Sequence, residues 1–321
     1  MLTDSKNRPP CIILTGPTAS GKTAALQLLR DKVWLAGGLE IEVICADAFQ
    51  AYIGMDIGTA KPDKTTLHEF NYHLVDILSP DQQYSVGTFV EQADALCRRI
   101  VAKGCLPVME GGSMYYIQTF LTGLPKAPAA SKEIRSQVDS MEAEHGYEWL
   151  QAELMRLDPA AAKAIPANDR YRIRRALEIC LQSGQAASGF LSPPRVRDDI
   201  RPLVLGIERE RQELYDRINI RVEEMFRKGL PDEVAALQQA GYDLNSPGLK
   251  AIGYREFFDE RLGIMNDRAA LLAEIQKNTR RYAKRQSTFM KRLPDLRMIS
   301  PDDEHGLQLE LQDFLSSETG A

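Results

Sequence analysis

The chain has 321 residues, of which 44% are hydrophobic and 26% charged, and its formal net charge is −5. This length allows one large domain with an insertion, or two domains, and either can bury a substantial core. No apolar run approaches the roughly 20 residues that a membrane-spanning helix needs, and the polar N-terminus has no secretory signal. We therefore expect a cytoplasmic protein with no membrane partner.

The five cysteines and four histidines are scattered. They form no C-x-x-C pair, no zinc-ligand spacing and no hydrolase pattern, which argues against a zinc protein and a hydrolase triad. No exposed apolar stripe demands a partner, so we expect a monomer.

Three apolar runs in the first half of the chain predict buried strands, at residues 11–15, 42–47 and 106–113. A glycine-rich turn and a helical pattern follow the first strand, and a double glycine ends the third. Ligands bind at the carboxyl ends of parallel strands. We therefore expect the first turn, Asp47 and residues 111–113 to converge on one cleft.

The composition changes at about residue 125 to helical patterns rich in Ala, Glu and Arg. An apolar run at 201–209 then predicts a strand that returns to the sheet, followed by further helices and by a polar, acidic tail that we expect to be frayed. The predicted domains are a discontinuous P-loop-type catalytic core, 1–124 plus 200–321, and a helical insertion domain, 125–199. The predicted fold class is α/β, with a P-loop NTPase-like parallel sheet core, the helical insertion and C-terminal helices.

The stretch GPTASGKT matches the phosphate-loop pattern G-x-x-x-x-G-K-[ST] in full. Glycines let backbone N–H groups surround a phosphate, and the helix N-terminus adds positive potential. The lysine neutralises charge and the last hydroxyl can reach Mg²⁺. Kinases, hydrolases and transferases share this loop, so the pattern leaves the reaction open. The predicted phosphate-binding residues are Gly16, Pro17, Thr18, Ala19, Ser20, Gly21, Lys22 and Thr23.

Asp47 follows the second strand, where a carboxylate can be a general base, a Mg²⁺ partner or the cap of the next turn. Its placement alone leaves these alternatives open. The stretch MDIGTAKP behind it suits an ordered loop against a polar ligand, although a plain turn has the same composition.

Arg217 and Arg221 are four residues apart and therefore share one face of a predicted helix, where they can meet a diphosphate. The alternative is surface pairing with Glu213 and Glu224.

Residues 277–292 contain seven basic residues and no acid. Helical spacing places Arg281, Lys284, Arg285 and Thr288 on one side, and Tyr282, Gln286 and Phe289 on another. We call Arg281, Lys284 and Arg285 the basic ridge. A second basic run surrounds Tyr171 within residues 168–178. Each run alone is typical of a solvated face, but two such runs in an acidic protein favour a nucleic-acid partner.

These stretches together resemble the bacterial tRNA dimethylallyltransferases over about residues 11–290. The matching pieces occur in the family's order: GPTASGKT, ICADAFQAYIGMDIGTAKP, HLVDILSPDQQYSVGTFVEQA, LPVMEGGSMYYIQTFLTGL, LDPAAAKAIPANDRYRIRRALEI, ELYDRINIRVEEMFRKGLPDEV, KAIGYREF and NTRRYAKRQSTF. The resemblance implies that the loop binds the diphosphate of dimethylallyl diphosphate. It also implies transfer of the five-carbon group, with Mg²⁺ present, to N6 of adenosine 37 in tRNAs that read codons beginning with U.

The resemblance also implies roles for individual residues. Asp47 would accept or orient the N6 proton, Thr23 would contact the bridging oxygen or the metal, and Arg221 with Arg217 would stabilise the departing diphosphate. The expected contacts with the tRNA anticodon stem-loop, including the basic ridge, are Asp47, Ala48, Phe49, Gln50, Ser113, Tyr171, Arg172, Ile173, Arg174, Arg175, Lys250, Gly253, Tyr254, Arg255, Arg281, Lys284 and Arg285.

Three positions depart from the family's usual residues. Ala48 stands where Ser is common, Ser113 where Thr is common, and Ile53 where Lys is usual. The change at Ala48 removes a hydroxyl and with it a secondary polar contact, whereas Ser113 keeps one. The zinc finger of eukaryotic relatives is absent from the sequence.

Three rival functions share some of these features. A small-molecule kinase needs the same loop, a prenyltransferase could act on free adenine nucleotides, and a non-catalytic RNA-binding switch could use the loop for a nucleotide. The second has no use for two arginine-rich faces, and the third leaves Asp47 without a task.

Overall fold

The computed structural model describes residues 8–124, 126–190, 195–259, 267–301 and 303–316. Within these ranges the strands form one five-stranded sheet, all parallel, in the order β2-β3-β1-β4-β5. The predicted α/β parallel-sheet fold is confirmed. The strands are β1 Pro10–Thr15, β2 Ile41–Cys45, β3 Leu106–Gly111, β4 Arg201–Ile207 and β5 Leu296–Ile299.

Helices cover both faces of the sheet, so the strands are buried on both sides and read as continuous apolar runs. Ile12 and Leu14 of β1 pack with α1 and α12 on one face, and Ile13 packs with helices that include α3, α4 and α11 on the other. The helices are α1 Lys22–Gly37, α2 Lys64–Glu69, α3 Val86–Ala102, α4 Met114–Thr122, α5 Lys132–His145, α6 Tyr147–Leu157, α7 Pro159–Ala164, α8 Arg170–Ser183, α9 Arg211–Arg227, α10 Leu230–Gln239, α11 Arg268–Met290 and α12 Glu304–Ser316.

The strand register brings the carboxyl ends of three strands to one edge. Thr15, the last residue of β1, is the partner of Gly111 in β3 and of Gly206 in β4. The phosphate loop begins directly after Thr15. It therefore lies beside the turn that follows β3.

The chain forms two compact bodies. Residues up to Gly123, together with those from Arg195 onward, form the first, and the residues between them form the second. The second body has its own core, to which α5, α6, α7 and α8 contribute, with Val138, Leu150, Leu154 and Leu177 fully buried. The insertion predicted at 125–199 overlaps this second body.

Two elements near the C-terminus differ from the sequence expectation. Only helices were expected after β4, but β5 adds a fifth strand at the edge of the sheet. A frayed tail was expected after Pro301. This expectation is wrong for residues 304–316, which form α12. Leu307, Leu311 and Phe314 of this helix are buried, at three- and four-residue spacing, and the helix packs on α1. Polar residues separate these three apolar positions, so the helical spacing is hard to recognise in the sequence.

Candidate active site

The phosphate loop wraps around the Lys22 side chain. The Lys22 ammonium donates hydrogen bonds to the carbonyls of Gly16 and Pro17, each at 3.2 Å. Gly21 has a φ of 102°, a conformation that favours glycine. The buried Ser20 hydroxyl has no hydrogen-bond partner among the described residues. The loop therefore keeps buried polar groups that an oxyanion can satisfy.

Arginines from the segment after β4 and from α9 hold the carbonyl side of the loop. Arg217 donates from Nε to the Ala19 carbonyl at 2.9 Å, and Arg209 donates from Nε to the Ser20 carbonyl at 2.7 Å. These bonds use only carbonyl oxygens of the loop, whereas the Thr18 and Ser20 amides donate to Gln286 and to the Pro17 carbonyl. Both arginines add positive charge beside the loop.

Arg221 lies one helical turn beyond Arg217 and lines the same cavity. Burial lowers its pKa, and the neighbouring Arg217 lowers it further. Neither arginine makes an ion pair with Glu213 or Glu224 within the described ranges. Glu213 pairs with Arg209, and Glu224 pairs with Arg227 at 3.9 Å. Two adjacent cations without paired acids are a favourable site for a polyanion.

A glutamine of α11 joins the phosphate loop to the turn after β3. Gln286 accepts a hydrogen bond from the Thr18 amide at 2.9 Å and donates one to the Gly112 carbonyl at 2.8 Å. A Cβ on Gly112 would lie 2.5 Å from the Gln286 Nε2 atom, so a larger residue here would displace the Gln286 amide. The sequence analysis placed Gln286 on the side away from the ridge but assigned it no role.

Asp47 follows β2 and lines the cavity beside Lys22. Its carboxylate accepts the Phe49 amide at 2.9 Å, so it caps the turn while it faces the cavity. Burial raises the pKa of Asp47, and the Phe49 amide and Lys22 oppose that rise. Ser113 accepts a hydrogen bond from the Ala48 amide at 3.0 Å, so its hydroxyl fixes the same turn.

A further cavity residue, not predicted from the sequence, is Glu110, which directly precedes the double glycine. Glu110 belongs to β3, is 7% exposed and lines the cavity together with Lys22 and Asp47. Burial raises its pKa, and Lys22 opposes the rise. The available signal was a single acid in an otherwise apolar strand, directly before the turn that was expected to reach the cleft.

The loop MDIGTAKP is held by a glutamate of α10 and also by its own Lys61, which pairs with Asp56 and Asp76. Glu233 accepts the amides of Asp56, Ile57 and Gly58 at 3.0, 2.8 and 3.2 Å. Lys61 turns inward and binds the Tyr52 carbonyl at 2.9 Å. Gly58, Thr59, Ala60 and Pro62 line the cavity. The loop is therefore an ordered wall of the cavity.

One cavity of about 380 Å³ is lined by residues of the phosphate loop, the turn after β3, α9 and α11. Of the residues predicted to be catalytic, it brings together Asp47, Thr23, Arg217 and Arg221. Phe49, Ile252 and Tyr282 add apolar and aromatic surface. The cavity thus combines an anion site with an apolar pocket and a carboxylate.

The basic ridge is solvent-exposed along α11. Arg281, Lys284 and Arg285 line a shallow groove of about 460 Å³ with Phe289 and Arg292. Within the described parts of the chain no carboxylate forms an ion pair with the ridge. On the opposite side of the helix Ala283, Gln286 and Met290 are buried. The ridge is therefore free to bind an external polyanion.

The arginines predicted to bind RNA in the second body are paired internally. Arg172 pairs with Asp169 at 3.3 Å and Arg175 with Glu178 at 3.2 Å. Arg174 pairs with Asp139 and Glu142. Tyr171, directly before these arginines in α8, is 78% exposed. This face therefore offers an aromatic ring and partly neutralised cations.

Two side chains on the list of expected RNA contacts are enclosed by protein. Ile173 is 3% exposed, and Tyr254 is fully buried and donates its hydroxyl to Glu233 at 2.6 Å. Any contribution of theirs to RNA binding goes through the backbone and the neighbours that they hold. Lys250 and Arg255 are exposed, and Gly253 is buried.

The parallel sheet and the loop after β1 define a P-loop-type α/β protein in which loop residues, a carboxylate and apolar side chains line one cavity. The family described as IPP transferase matches residues 50–293. A tRNA dimethylallyltransferase of Syntrophotalea carbinolica is 39% identical over 95% of this chain and 96% of its own. One of Geobacter sulfurreducens is 39% identical over 90% of this chain and 91% of its own. The chain belongs to the IPP transferase family.

Solved structures agree with this assignment. The tRNA isopentenylpyrophosphate transferase of Bacillus halodurans aligns with a TM-score of 0.69 at 30% identity, covering 97% of this chain and 98% of its own. A eukaryotic dimethylallyltransferase acting on tRNA aligns with a TM-score of 0.76 at 22% identity, over 92% of this chain and 74% of its own, and shows the shared fold. In the described ranges every helix is too short or too polar to cross a lipid bilayer.

Proposed function

We propose that this protein transfers the dimethylallyl group of dimethylallyl diphosphate to N6 of adenosine 37 in tRNAs that read codons beginning with U, and releases diphosphate. The observation that carries the proposal is the single cavity lined by Asp47, by residues of the phosphate loop and by apolar side chains. Membership of the IPP transferase family supports it.

The leaving group is diphosphate, and its charge grows as the allylic C–O bond breaks. Lys22, Arg217 and Arg221 line the cavity in which that charge would develop. Donors and cations held in place before the reaction stabilise such charge more than mobile water does. The loop thus serves departure of diphosphate, and no phosphoryl group is transferred.

The acceptor is an aromatic amine, which is a weak nucleophile whose proton must be removed as the C–N bond forms. Asp47 is the carboxylate assigned to this task, because it lines the cavity and its Oδ1 is held by the Phe49 amide. The adenine must leave its stack to enter the pocket. Phe49, Ile252 and Tyr282 supply apolar surface for the five-carbon group and the base.

The donor atoms of the cavity fit Mg²⁺. Magnesium prefers oxygen ligands and is commonly held by one or two carboxylates together with substrate phosphates and water. Among the described residues no group of three or more His, Cys, Asp or Glu side chains can hold a metal by itself. Thr23, at the first turn of α1, supplies a hydroxyl. When bound, Mg²⁺ would neutralise charge on the diphosphate, and Thr23 would hold it there.

The tRNA is proposed to bind through its anticodon stem-loop. The basic ridge would contact the phosphate backbone, and exposed Tyr171 would stack on a base. The proposed substrates place the protein in the cytoplasm, where we expect it to act as a monomer.

The kinase alternative is not favoured by the relatives, which are named as tRNA-modifying transferases. It also gives the exposed ridge no role. Transfer to free adenine nucleotides leaves the ridge equally unexplained.

Mass spectrometry of nucleosides from tRNA incubated with the protein, Mg²⁺ and dimethylallyl diphosphate tests the proposal. We expect one five-carbon adduct, on adenosine 37. Parallel reactions replace tRNA with AMP, or the allyl donor with labelled ATP. A prenylated AMP of comparable yield, or transfer of labelled phosphate, would overturn the assignment.

A further inference from the structure

Glu110 lines the cavity beside the phosphate loop, where its carboxylate can bind a metal. In the sheet register it is the partner of Leu14, two residues before the loop begins at Gly16. It is 7% exposed, and the face that remains open is part of the cavity wall that Thr23 shares. A carboxylate on the strand next to the phosphate-loop strand holds Mg²⁺ together with the loop Ser or Thr in many phosphate-loop proteins.

The carboxylate of Glu110 is poorly neutralised in the protein alone. No Lys, Arg or His forms an ion pair with it in the parts of the chain that are described. The buried Tyr72 hydroxyl lies beside it, and the Lys22 and Arg221 cations favour its charged form without forming an ion pair. A buried carboxylate without a paired cation is costly. Beside a bound diphosphate the cost rises further, unless a cation lies between the two.

The two carboxylates of the cavity have different surroundings. Asp47 caps the turn after β2 through the Phe49 amide at 2.9 Å, and it is the group assigned to the N6 proton. Glu110, on the adjacent strand β3, makes no such bond to the backbone and is left without a task. Asp47 can therefore act on the N6 proton while Glu110 has a different role in the same cavity.

We propose that Glu110 and Thr23 together hold the Mg²⁺ that accompanies the diphosphate, with the diphosphate oxygens and water completing the ligands. This extends the proposed function, because it assigns a metal-positioning role at the same site. It also accounts for the absence, among the described residues, of a metal site built from protein side chains alone. The metal binds with the diphosphate and not before it.

The test measures binding of inorganic diphosphate by calorimetry, with and without Mg²⁺, in the parent and in Glu110→Gln. In the parent, Mg²⁺ should strengthen binding. In Glu110→Gln this strengthening should fall by about tenfold or more, while binding without metal stays equal or becomes tighter because a repelling charge is gone. Strengthening by Mg²⁺ equal to that of the parent would overturn the proposal, as would an equal loss with and without metal.

Glu42→Gln is the matched control. Glu42 is also buried in a strand, at 5% exposure, but it pairs with Lys103 and His73 and does not line the cavity. Its variant should respond to Mg²⁺ as the parent does. No tRNA or allyl donor is present, so this result is independent of whether the prenyl transfer itself is observed.

A second measurement on the parent serves if Glu110→Gln does not fold. Fe²⁺ in place of Mg²⁺, with ascorbate and peroxide, cleaves the backbone near a bound metal. With diphosphate present we expect cleavage at the end of β3 and at the first turn of α1. Cleavage that spares β3 would overturn the proposal.

Discussion

Gln286 of α11 accepts a hydrogen bond from the Thr18 amide at 2.9 Å. Its amide nitrogen donates to the Gly112 carbonyl at 2.8 Å. One side chain therefore fixes the distance between the phosphate loop and the turn after β3. Because Gln286 is only 4% exposed, water cannot easily replace either bond.

Gln286→Leu should raise the KM for dimethylallyl diphosphate by about tenfold, because each buried polar group that loses its partner costs about 1–3 kcal/mol. Steady-state kinetics with each substrate varied in turn would measure it. Gln276→Leu is the control, since Gln276 lies on the same helix, binds the Asn219 carbonyl at 3.2 Å and does not line the cavity. An unchanged KM in a folded Gln286→Leu protein would show that the bridge does not position the loop.

The phosphate loop and the first three strands could be predicted from the sequence because both are local patterns. GPTASGKT fixes its own geometry within eight residues. The apolar runs at β1, β2 and β3 are typical of strands that are buried on both faces. The predicted ends of β2 and β3 lie two residues beyond the observed ends. Asp47 was found for the same reason, since it follows an obvious strand.

Gln286 and Glu110 could not be assigned in this way. Gln286 is 268 residues from Thr18 in the sequence, so only the folded chain shows that they meet. Glu110 lies within a strand where side chains alternate between faces, and its role depends on which face meets α1. The short strand β5 was missed because its residues are half exposed at the sheet edge.

Asp47→Asn should reduce turnover by about a hundredfold or more, because the amide keeps the shape but cannot accept the N6 proton. Binding of inorganic diphosphate should stay within about twofold of the parent, since the loop is untouched. Single-turnover rates with saturating tRNA, alongside calorimetry, measure both quantities. The exposed Asp198→Asn is the control. Parental turnover in Asp47→Asn would remove the base assignment.

The rate should fall at acid pH with a midpoint above the ordinary aspartate pKa of 3.8, because burial raises the pKa of Asp47. As the pH drops through that raised pKa, the carboxylate gains a proton and can no longer accept one. A profile of kcat/KM for tRNA, at saturating allyl donor, gives the midpoint. A midpoint at or below 3.8 would contradict this role.

Arg221→Gln should lower kcat more than it weakens substrate binding, because the charge on diphosphate grows as the bond breaks. The expected loss in kcat is about a hundredfold. Arg227→Gln, on the exposed end of the same helix, controls for the loss of one cation. If Arg221→Gln changed only the KM for the allyl donor, Arg221 would be a binding residue without a specific role in bond cleavage.

Replacing Arg281, Lys284 and Arg285 with Glu should weaken tRNA binding, flatten its salt dependence and leave diphosphate binding nearly unchanged. The ridge is exposed and without ion pairs among the described residues, so each of its cations can meet a phosphate. Each lost phosphate contact should lower the salt slope by roughly one unit. Filter binding of tRNA at several salt concentrations measures the slope.

The control variant replaces Arg98, Arg99 and Lys64 with Glu. These residues are exposed on α3 and α2, and their replacement changes the net charge by the same amount. It separates contact from overall charge, because a purely long-range effect would weaken both variants alike. Circular dichroism verifies that the ridge variant is folded, which the buried side of α11, with Ala283 and Met290, should ensure. If the folded ridge variant bound tRNA with the parental salt slope, the ridge charges would be merely solvated and the tRNA would have to bind elsewhere.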